Sequence, residues 1–189
     1  MARVPGLKTQ LARNGLDETT IKAIIGNGDL VDVTARMESM LDADTMQRAL
    51  DACGCSGGSA FIAQCKRTGK ALAGQSLEEK IHHLNNVFQT ENIALEGEGL
   101  LRGTLTFGEN GKHRCACSAV VKRGLTVADL AGDADARTMP LSYCYCCAGS
   151  FRRHLQLQLG VELKTKEIVS SPIHSKGEKP CAFVFELME

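Results

Sequence analysis

The sequence predicts an α+β fold in which N-terminal helices precede an antiparallel sheet. Apolar residues recur at helical spacing in the first half of the chain, and apolar and polar residues begin to alternate near Leu100. The predicted order of helices, hairpin, helices and hairpin is typical of helices that cover one antiparallel sheet. We therefore expect a helical region over 1–97 and an α+β region over 98–189, packed as one compact unit.

Capping residues mark two of the four helices predicted in the first region. Asp17 is of a type that accepts hydrogen bonds at a helix N-terminus, and Ser76 with Glu79 forms a capping box. Apolar periodicity defines the helices themselves. They are predicted over 17–25, 32–52, 60–67 and 76–88.

Two hairpins are predicted in the second region. Alternation over 101–107, the turn residues of 109–111 and a return strand over 113–121 predict the first hairpin. A helix that ends at Gly160 separates it from the second. The remaining predicted elements are a short helix over 125–131, a polar connector over 132–140, the helix over 148–159 and strands over 161–169 and 181–187.

Composition argues against nucleic acid and membrane as partners. Lys and Arg number 22, as do Asp and Glu, and the chain has no Trp, two Tyr and six Phe. It therefore lacks both the positive charge and the aromatic side chains that nucleic-acid binding uses. The N-terminus is polar and is interrupted by Pro5 and Gly6, and no apolar stretch is long enough to span a bilayer. We expect a cytoplasmic protein.

Nine cysteines are the most informative feature of the composition. Their number is odd and the chain is too long for a small disulfide scaffold, so we expect thiols or thiolates used in metal or redox chemistry. Three Cys-x-Cys pairs stand out, and in a strand or tight loop both thiols of such a pair face one way. The pairs are Cys53/Cys55, Cys115/Cys117 and Cys144/Cys146, the last extended by Cys147.

Two such pairs brought together would form a four-thiolate zinc site or hold an iron–sulfur cluster. On the predicted return strand, His113, Cys115 and Cys117 share one face. The alternative for each cysteine is a small buried hydrophobic residue, which is our interpretation of Cys65. The candidate metal ligands from spacing are Cys53, Cys55, Cys115, Cys117, Cys144, Cys146, Cys147 and His113.

Two of the three Cys pairs lie just ahead of predicted helix starts. The run from Cys144 to Cys147 precedes the helix expected near Ala148, where helix N–H groups stabilise a thiolate, so these thiols are predicted to be reactive or ready for a metal. Cys55 precedes another helix start, and the glycines of 56–59 form either an anion-binding nest or an ordinary turn. Cys55 as a lone nucleophile is an alternative.

The histidines other than His113 are weaker candidates. His154 lies two helical turns from Cys147 and is a candidate ligand or proton shuttle. His174 lies in the final loop with no partner discernible from the sequence. His82 and His83 occupy a helix on which exposure or half-burial is expected.

The last half of the chain resembles the 4-vinyl reductase-type small-molecule-binding domain. The resemblance covers about 98–188 and depends on the Cys-rich helix start, Gly160 before a strand, and the ending from Gly177 through Cys181 to Phe183. It implies helices on a twisted antiparallel sheet with an apolar pocket between them for a small, hydrocarbon-like molecule. Some family members hold a metal with Cys and His, and the matching positions here are Cys144, Cys146, Cys147 and Cys181. The residues over 168–171 depart from the family pattern.

The leading hypothesis is a small-molecule-binding protein in which thiolate-bound zinc lies beside an apolar pocket. An enzyme is the alternative, with an iron–sulfur cluster, an open zinc site or a reactive Cys146 or Cys147. A third interpretation treats the cysteines as core packing in an interaction module that forms a homodimer through its N-terminal helices. No catalytic residue is assigned.

Overall fold

The computed structural model describes residues 6–28, 30–54, 57–88, 90–109, 111–117, 120–121, 124 and 139–188. Across these residues, seven α-helices and a four-stranded antiparallel sheet confirm the predicted α+β class. The helix predicted over 125–131, most of the connector over 132–140, and Cys55 lie outside the described residues. None of the helices in the described part of the chain is long and apolar enough to cross a membrane.

Six helices precede the first strand. Asp17 and Ser76 cap their helices as predicted, and Ser76 with Glu79 forms the expected capping box. The single helix predicted over 32–52 is wrong. Asp42 accepts a hydrogen bond from the Thr45 N–H at 2.8 Å and starts a new helix there. The helices are α1 Leu7–Arg13, α2 Glu18–Ile25, α3 Leu30–Met40, α4 Ala43–Ala52, α5 Ser59–Ala71 and α6 Leu77–Val87.

The sheet has the strand order β1-β2-β6-β5, and every neighbouring pair is antiparallel. The predicted final hairpin is confirmed as β5 and β6. The edge strand β1 comes from the region predicted to be helical. The strands are β1 Glu91–Leu95, β2 Leu100–Leu105, β3 Gly108–Glu109, β4 Lys112–His113, β5 Glu162–Ser170 and β6 Cys181–Met188.

The first predicted hairpin is largely wrong. The turn after residue 109 closes only the two-residue ladder of β3 and β4, and no strand extends over 114–117. Both edges of β2 are already occupied, by β1 and by β6, so the return segment has no edge to join. The backbone of the return segment forms hydrogen bonds with other segments instead. The His113 N–H donates to the Gly177 carbonyl, and the Arg114 N–H donates to the Phe107 carbonyl, both at 2.8 Å. His113, Cys115 and Cys117 therefore do not share a strand face.

Helix α7, Tyr145–Leu159, is the centre of the molecule and follows a 3-10 turn at Leu141–Cys144. It covers the inner face of the sheet, where the Phe151 ring packs edge-on against Phe183 and Phe185. Gly103 leaves the space for that ring, because a Cβ there would lie 2.5 Å from Phe151. The helix ends at Gly160 in the left-handed conformation, as predicted.

Helix α4 crosses α7 at backbone contact. A Cβ on Gly149 would lie 1.8 Å from the carbonyl oxygen of Asp51, so only glycine fits. The Asp51 carboxylate then accepts hydrogen bonds from the Arg152 guanidinium at 2.7 Å and from the Thr165 hydroxyl at 2.6 Å. This crossing fixes α4 to both α7 and β5.

We expect Gly149→Ala to destabilise the protein by about 3 kcal/mol, since the added methyl would collide with backbone that cannot rotate away. Urea denaturation measures the change. Gly108→Ala is the matched control, because its nearest heavy atom would be 4.0 Å away, and we expect it to stay within about 0.5 kcal/mol of wild type. Equal stability of the two variants would contradict the assigned role of Gly149.

Glu91 begins β1 with its side chain against the helices. Its Oε2 atom is buried with no hydrogen-bond partner among the described residues. Burial raises the pKa of Glu91 to about 7. Burial, followed by the charge of Glu91, raises the pKa of the Cys65 thiol in α5 to about 11. Glu91 is therefore held as a neutral acid in mildly acidic solution.

Because the folded protein keeps a proton on Glu91 that the unfolded chain releases, the free energy of unfolding should fall as the pH rises from about 4.5 to about 7. We expect Glu91→Gln to remove this decrease and to stabilise the protein at pH 8 by on the order of 2 kcal/mol. Thermal unfolding of the wild-type and Glu91→Gln proteins at pH 5 and pH 8 measures this difference in stability. If the free energy of unfolding depends on pH in the same way in both proteins, Glu91 has an ordinary pKa and the prediction is wrong.

Candidate functional site

Five buried cysteines from three separate segments converge at the end of the sheet where β6 begins. We call these five the thiol cluster. None of the eight described cysteines forms a disulfide with another, and all eight are buried. The members of the thiol cluster are Cys115 and Cys117 after β4, Cys144 at the end of the 3-10 turn, Cys147 in the first turn of α7, and Cys181 at the start of β6.

The closest contacts in the cluster surround Cys147. Hydrogen bonds with the thiols of Cys115 and Cys117 raise the pKa of Cys147, and burial raises it further. The Cys117 N–H donates to Cys115 Sγ at 3.4 Å, which folds this pair into a tight loop. Two thiols of this loop therefore reach one thiol of α7, about 30 residues away in the chain.

Cys181 and Cys144 extend the cluster on its other side. Burial, followed by the charge of Cys115, raises the pKa of Cys181 to about 12. Burial, followed by the charge of Cys181, raises the pKa of Cys144. Cys115 and Cys117 thus contribute to the raised pKa values of all three other thiols.

Four of the five sulfurs form hydrogen bonds with N–H or hydroxyl groups of neighbouring residues. The Cys117 N–H bonds Cys115, and the Ala116 N–H bonds Cys181. The Tyr143 hydroxyl lies 3.0 Å from Cys117 Sγ. The Ser171 hydroxyl forms a hydrogen bond with Cys144. A sulfur that faces such donors can carry negative charge inside the protein.

The predicted helix start is wrong by three residues. Helix α7 begins at Tyr145, so Cys146 and Cys147 lie within its first turn rather than ahead of it. At Cys147 the thiol hydrogen bonds and burial outweigh the helix dipole, and the pKa is raised, not lowered. Cys147 therefore favours its neutral form.

The other candidate cysteines lie beside the cluster or apart from it. Cys146 is buried near Tyr143, and its charge contributes to raising the pKa of Tyr143. Cys53 is buried at the C-terminal end of α4, where a Cβ on the next residue, Gly54, would lie 2.4 Å from the Ser150 nitrogen of α7. Gly54 therefore approaches α7 one turn beyond Cys146.

His113 keeps its place as a candidate ligand. Its Nδ1 atom is buried with no hydrogen-bond partner among the described residues, and it lies two residues before Cys115. An unpartnered imidazole nitrogen beside a group of thiols has the chemistry of a metal ligand. His154 is instead buried edge-on against the Phe61 ring, with ring centroids 4.8 Å apart.

His174, for which the sequence shows no partner, has two in the structure. One ring nitrogen lies 2.8 Å from the Ser171 hydroxyl, and the other lies 2.7 Å from the carbonyl oxygen of Met139. That carbonyl is 35 residues away in the chain, so spacing could not indicate the contact. Tyr143 and Ser171 were also missed, and the only sequence signal for Tyr143 is its position next to Cys144.

No three His, Cys, Asp or Glu side chains within the described part of the chain are already arranged to hold a metal ion. The sulfurs of the thiol cluster would therefore have to draw together to surround one ion. An open depression of about 600 Å³ is found between Gly99, Lys166 and Met188. It lies at the opposite end of β6 from Cys181, roughly 20 Å away at the usual rise per strand residue.

Comparisons with family models, curated proteins and solved structures give no significant match to this chain. The resemblance to the 4-vinyl reductase-type domain therefore stays a prediction. What the site can do must be argued from its own residues.

Proposed function

We propose that the protein is a small-molecule-binding domain that binds a metal ion through the thiol cluster, with zinc as the preferred metal. The observation that carries this proposal is the contact of Cys147 with both Cys115 and Cys117. Residues distant in the chain bring three sulfurs together inside the core. Thiolate sulfur is a preferred ligand of zinc.

Core packing alone explains the burial of the cysteines but not their hydrogen bonds. A thiol that serves as a small hydrophobic residue needs no N–H or O–H donor directed at its sulfur. A zinc ion with four thiolates carries two net negative charges, and such donors offset that charge and orient the ligands. Four groups would serve as these donors: the N–H groups of Cys117 and Ala116 and the hydroxyls of Tyr143 and Ser171.

Thiol catalysis fits the electrostatics less well. The thiolate is the nucleophile in such enzymes, and it needs a lowered pKa with some access to solvent. Cys144, Cys147 and Cys181 are buried with raised pKa values. A bound cation reverses this situation because it stabilises the deprotonated form directly.

Cys115, Cys117, Cys147 and Cys181 are the proposed four ligands. The first two interact with both of the others. Cys144 interacts with Cys181 and, more weakly, with Cys115 and Cys117, and is the alternate fourth thiolate. His113 would take that place in a site of three thiolates and one imidazole.

The small-molecule part of the proposal depends on the resemblance over 98–188. The apolar ligand would lie between α7 and the sheet, with the metal closing the end where β6 begins. A reducing compartment such as the cytoplasm would keep the described cysteines out of disulfides, as the structure has them.

We expect protein purified anaerobically without added metal to contain close to one zinc ion per chain. Cys117→Ser should lose the zinc and unfold at a lower urea concentration, since it removes a central ligand and metal binding contributes to folding free energy. Elemental analysis and urea denaturation measure the two effects. Cys65→Ser is the matched control, a buried cysteine in α5 that should keep the zinc.

Other results would change the assignment. Iron with a visible absorption band would favour the redox-enzyme alternative with an iron–sulfur cluster. No metal, together with no uptake of added zinc, would contradict the proposal and leave the cysteines as core packing.

A further inference from the structure

Tyr143 is the largest side chain that contacts the thiol cluster, and it is completely buried. Its hydroxyl oxygen lies 3.0 Å from Cys117 Sγ, and with two neutral groups either atom could donate the proton. A thiolate has no proton to give. Once Cys117 is a metal ligand, the hydrogen bond can run only from the tyrosine to the sulfur.

The 3-10 turn at Leu141–Cys144 holds the ring in place. The Tyr143 N–H donates to the Pro140 carbonyl at 3.0 Å, and the Ser142 hydroxyl bonds the Met46 sulfur of α4 at 3.5 Å. The turn is thus attached to α4 on one side and continues directly into α7 on the other. Because the ring is enclosed, the hydroxyl has little freedom to turn away from Cys117.

The geometry points to Tyr143 as the positioning residue of the metal site, whose hydroxyl orients the Cys117 thiolate and withdraws charge from it. This inference rests on the proposed metal site and adds to it a residue that tunes how strongly one ligand donates. Outer hydrogen-bond partners of metal ligands commonly change metal affinity by about 10- to 100-fold when they are removed. The same range is expected here.

The test uses cobalt(II) as a spectroscopic substitute for zinc, with Tyr143→Phe compared with Tyr145→Phe. Tyr145 is the chain's other tyrosine, is half-buried and lies only two residues away, so its variant controls for the loss of a tyrosine hydroxyl. A hydrogen bond lowers the energy of the sulfur lone pairs. Its removal in Tyr143→Phe should shift the sulfur-to-cobalt charge-transfer band to longer wavelength and weaken cobalt binding by about 10-fold or more. Tyr145→Phe should match wild type in both.

Three outcomes separate this inference from the metal-site proposal. A shifted band in Tyr143→Phe alone supports the inference. Cobalt bound by wild type and Tyr143→Phe with identical bands and affinities overturns the role of Tyr143 and leaves the metal site standing. No cobalt bound by wild type at all overturns the metal site and this inference with it.

A second measurement tests the inference if the Tyr143→Phe variant does not fold. In cobalt- or zinc-loaded Tyr145→Phe protein, Tyr143 is the only tyrosine, and the chain has no tryptophan. The Raman doublet of tyrosine distinguishes a hydroxyl that donates a hydrogen bond from one that accepts. The donor pattern is expected, and an acceptor pattern would overturn the inference.

Discussion

The contact between Gly149 and the Asp51 carbonyl is the constraint on which the rest of the structure depends. It brings α4 and α7 to backbone distance, and the Asp51 carboxylate then reaches Arg152 and Thr165. Helix α7 cannot slide along the sheet without breaking this arrangement. Its first turn, which carries Cys147, is therefore fixed relative to β5 and β6, and the position of the thiol cluster follows from that packing.

Charge is the second constraint. Five buried sulfurs are stable as neutral thiols, but several bare thiolates in the same space would repel one another and lose their solvation. A divalent cation reverses that balance, and the donors from Ala116, Tyr143 and Ser171 reduce what remains of the negative charge. The same scaffold would thus suit a protonated cluster without metal and, under the proposed function, a deprotonated cluster with it. This dual suitability is the strongest argument for metal binding over simple packing.

Local sequence signals predicted the local structure. Asp17, Ser76 and Gly160 cap their helices where expected, because a cap depends only on residues within one turn. The return strand of the first hairpin failed because both edges of β2 were taken by strands that the alternation over 101–107 could not identify. Asp42 could have been recognised as a cap inside 32–52, but its neighbours continue the apolar spacing on both sides.

For the candidate site residues too, the sequence indicates local features but not contacts between distant segments. Spacing singled out Cys115, Cys117 and Cys147, yet it indicated the wrong geometry for the pair, which lies in an irregular loop rather than on a strand. The loop still faces both thiols toward Cys147 because the Cys117 N–H bonds Cys115. Which segments meet depends on contacts distant in sequence, so Tyr143 and Ser171 could not be found from spacing.

The register of the sheet links the acid of β1 to the thiol cluster. Glu91 is paired with Leu105, which is paired in turn with Cys181, so all three side chains point toward the helices at the same end of the sheet. Glu91 and Cys181 are two strands apart, or roughly 10 Å. A neutral Glu91 is compatible with a negatively charged metal–thiolate cluster at that distance, whereas an ionised one would repel it. The buried acid and the buried thiols therefore favour the same condition, a low density of uncompensated negative charge at this end of the core.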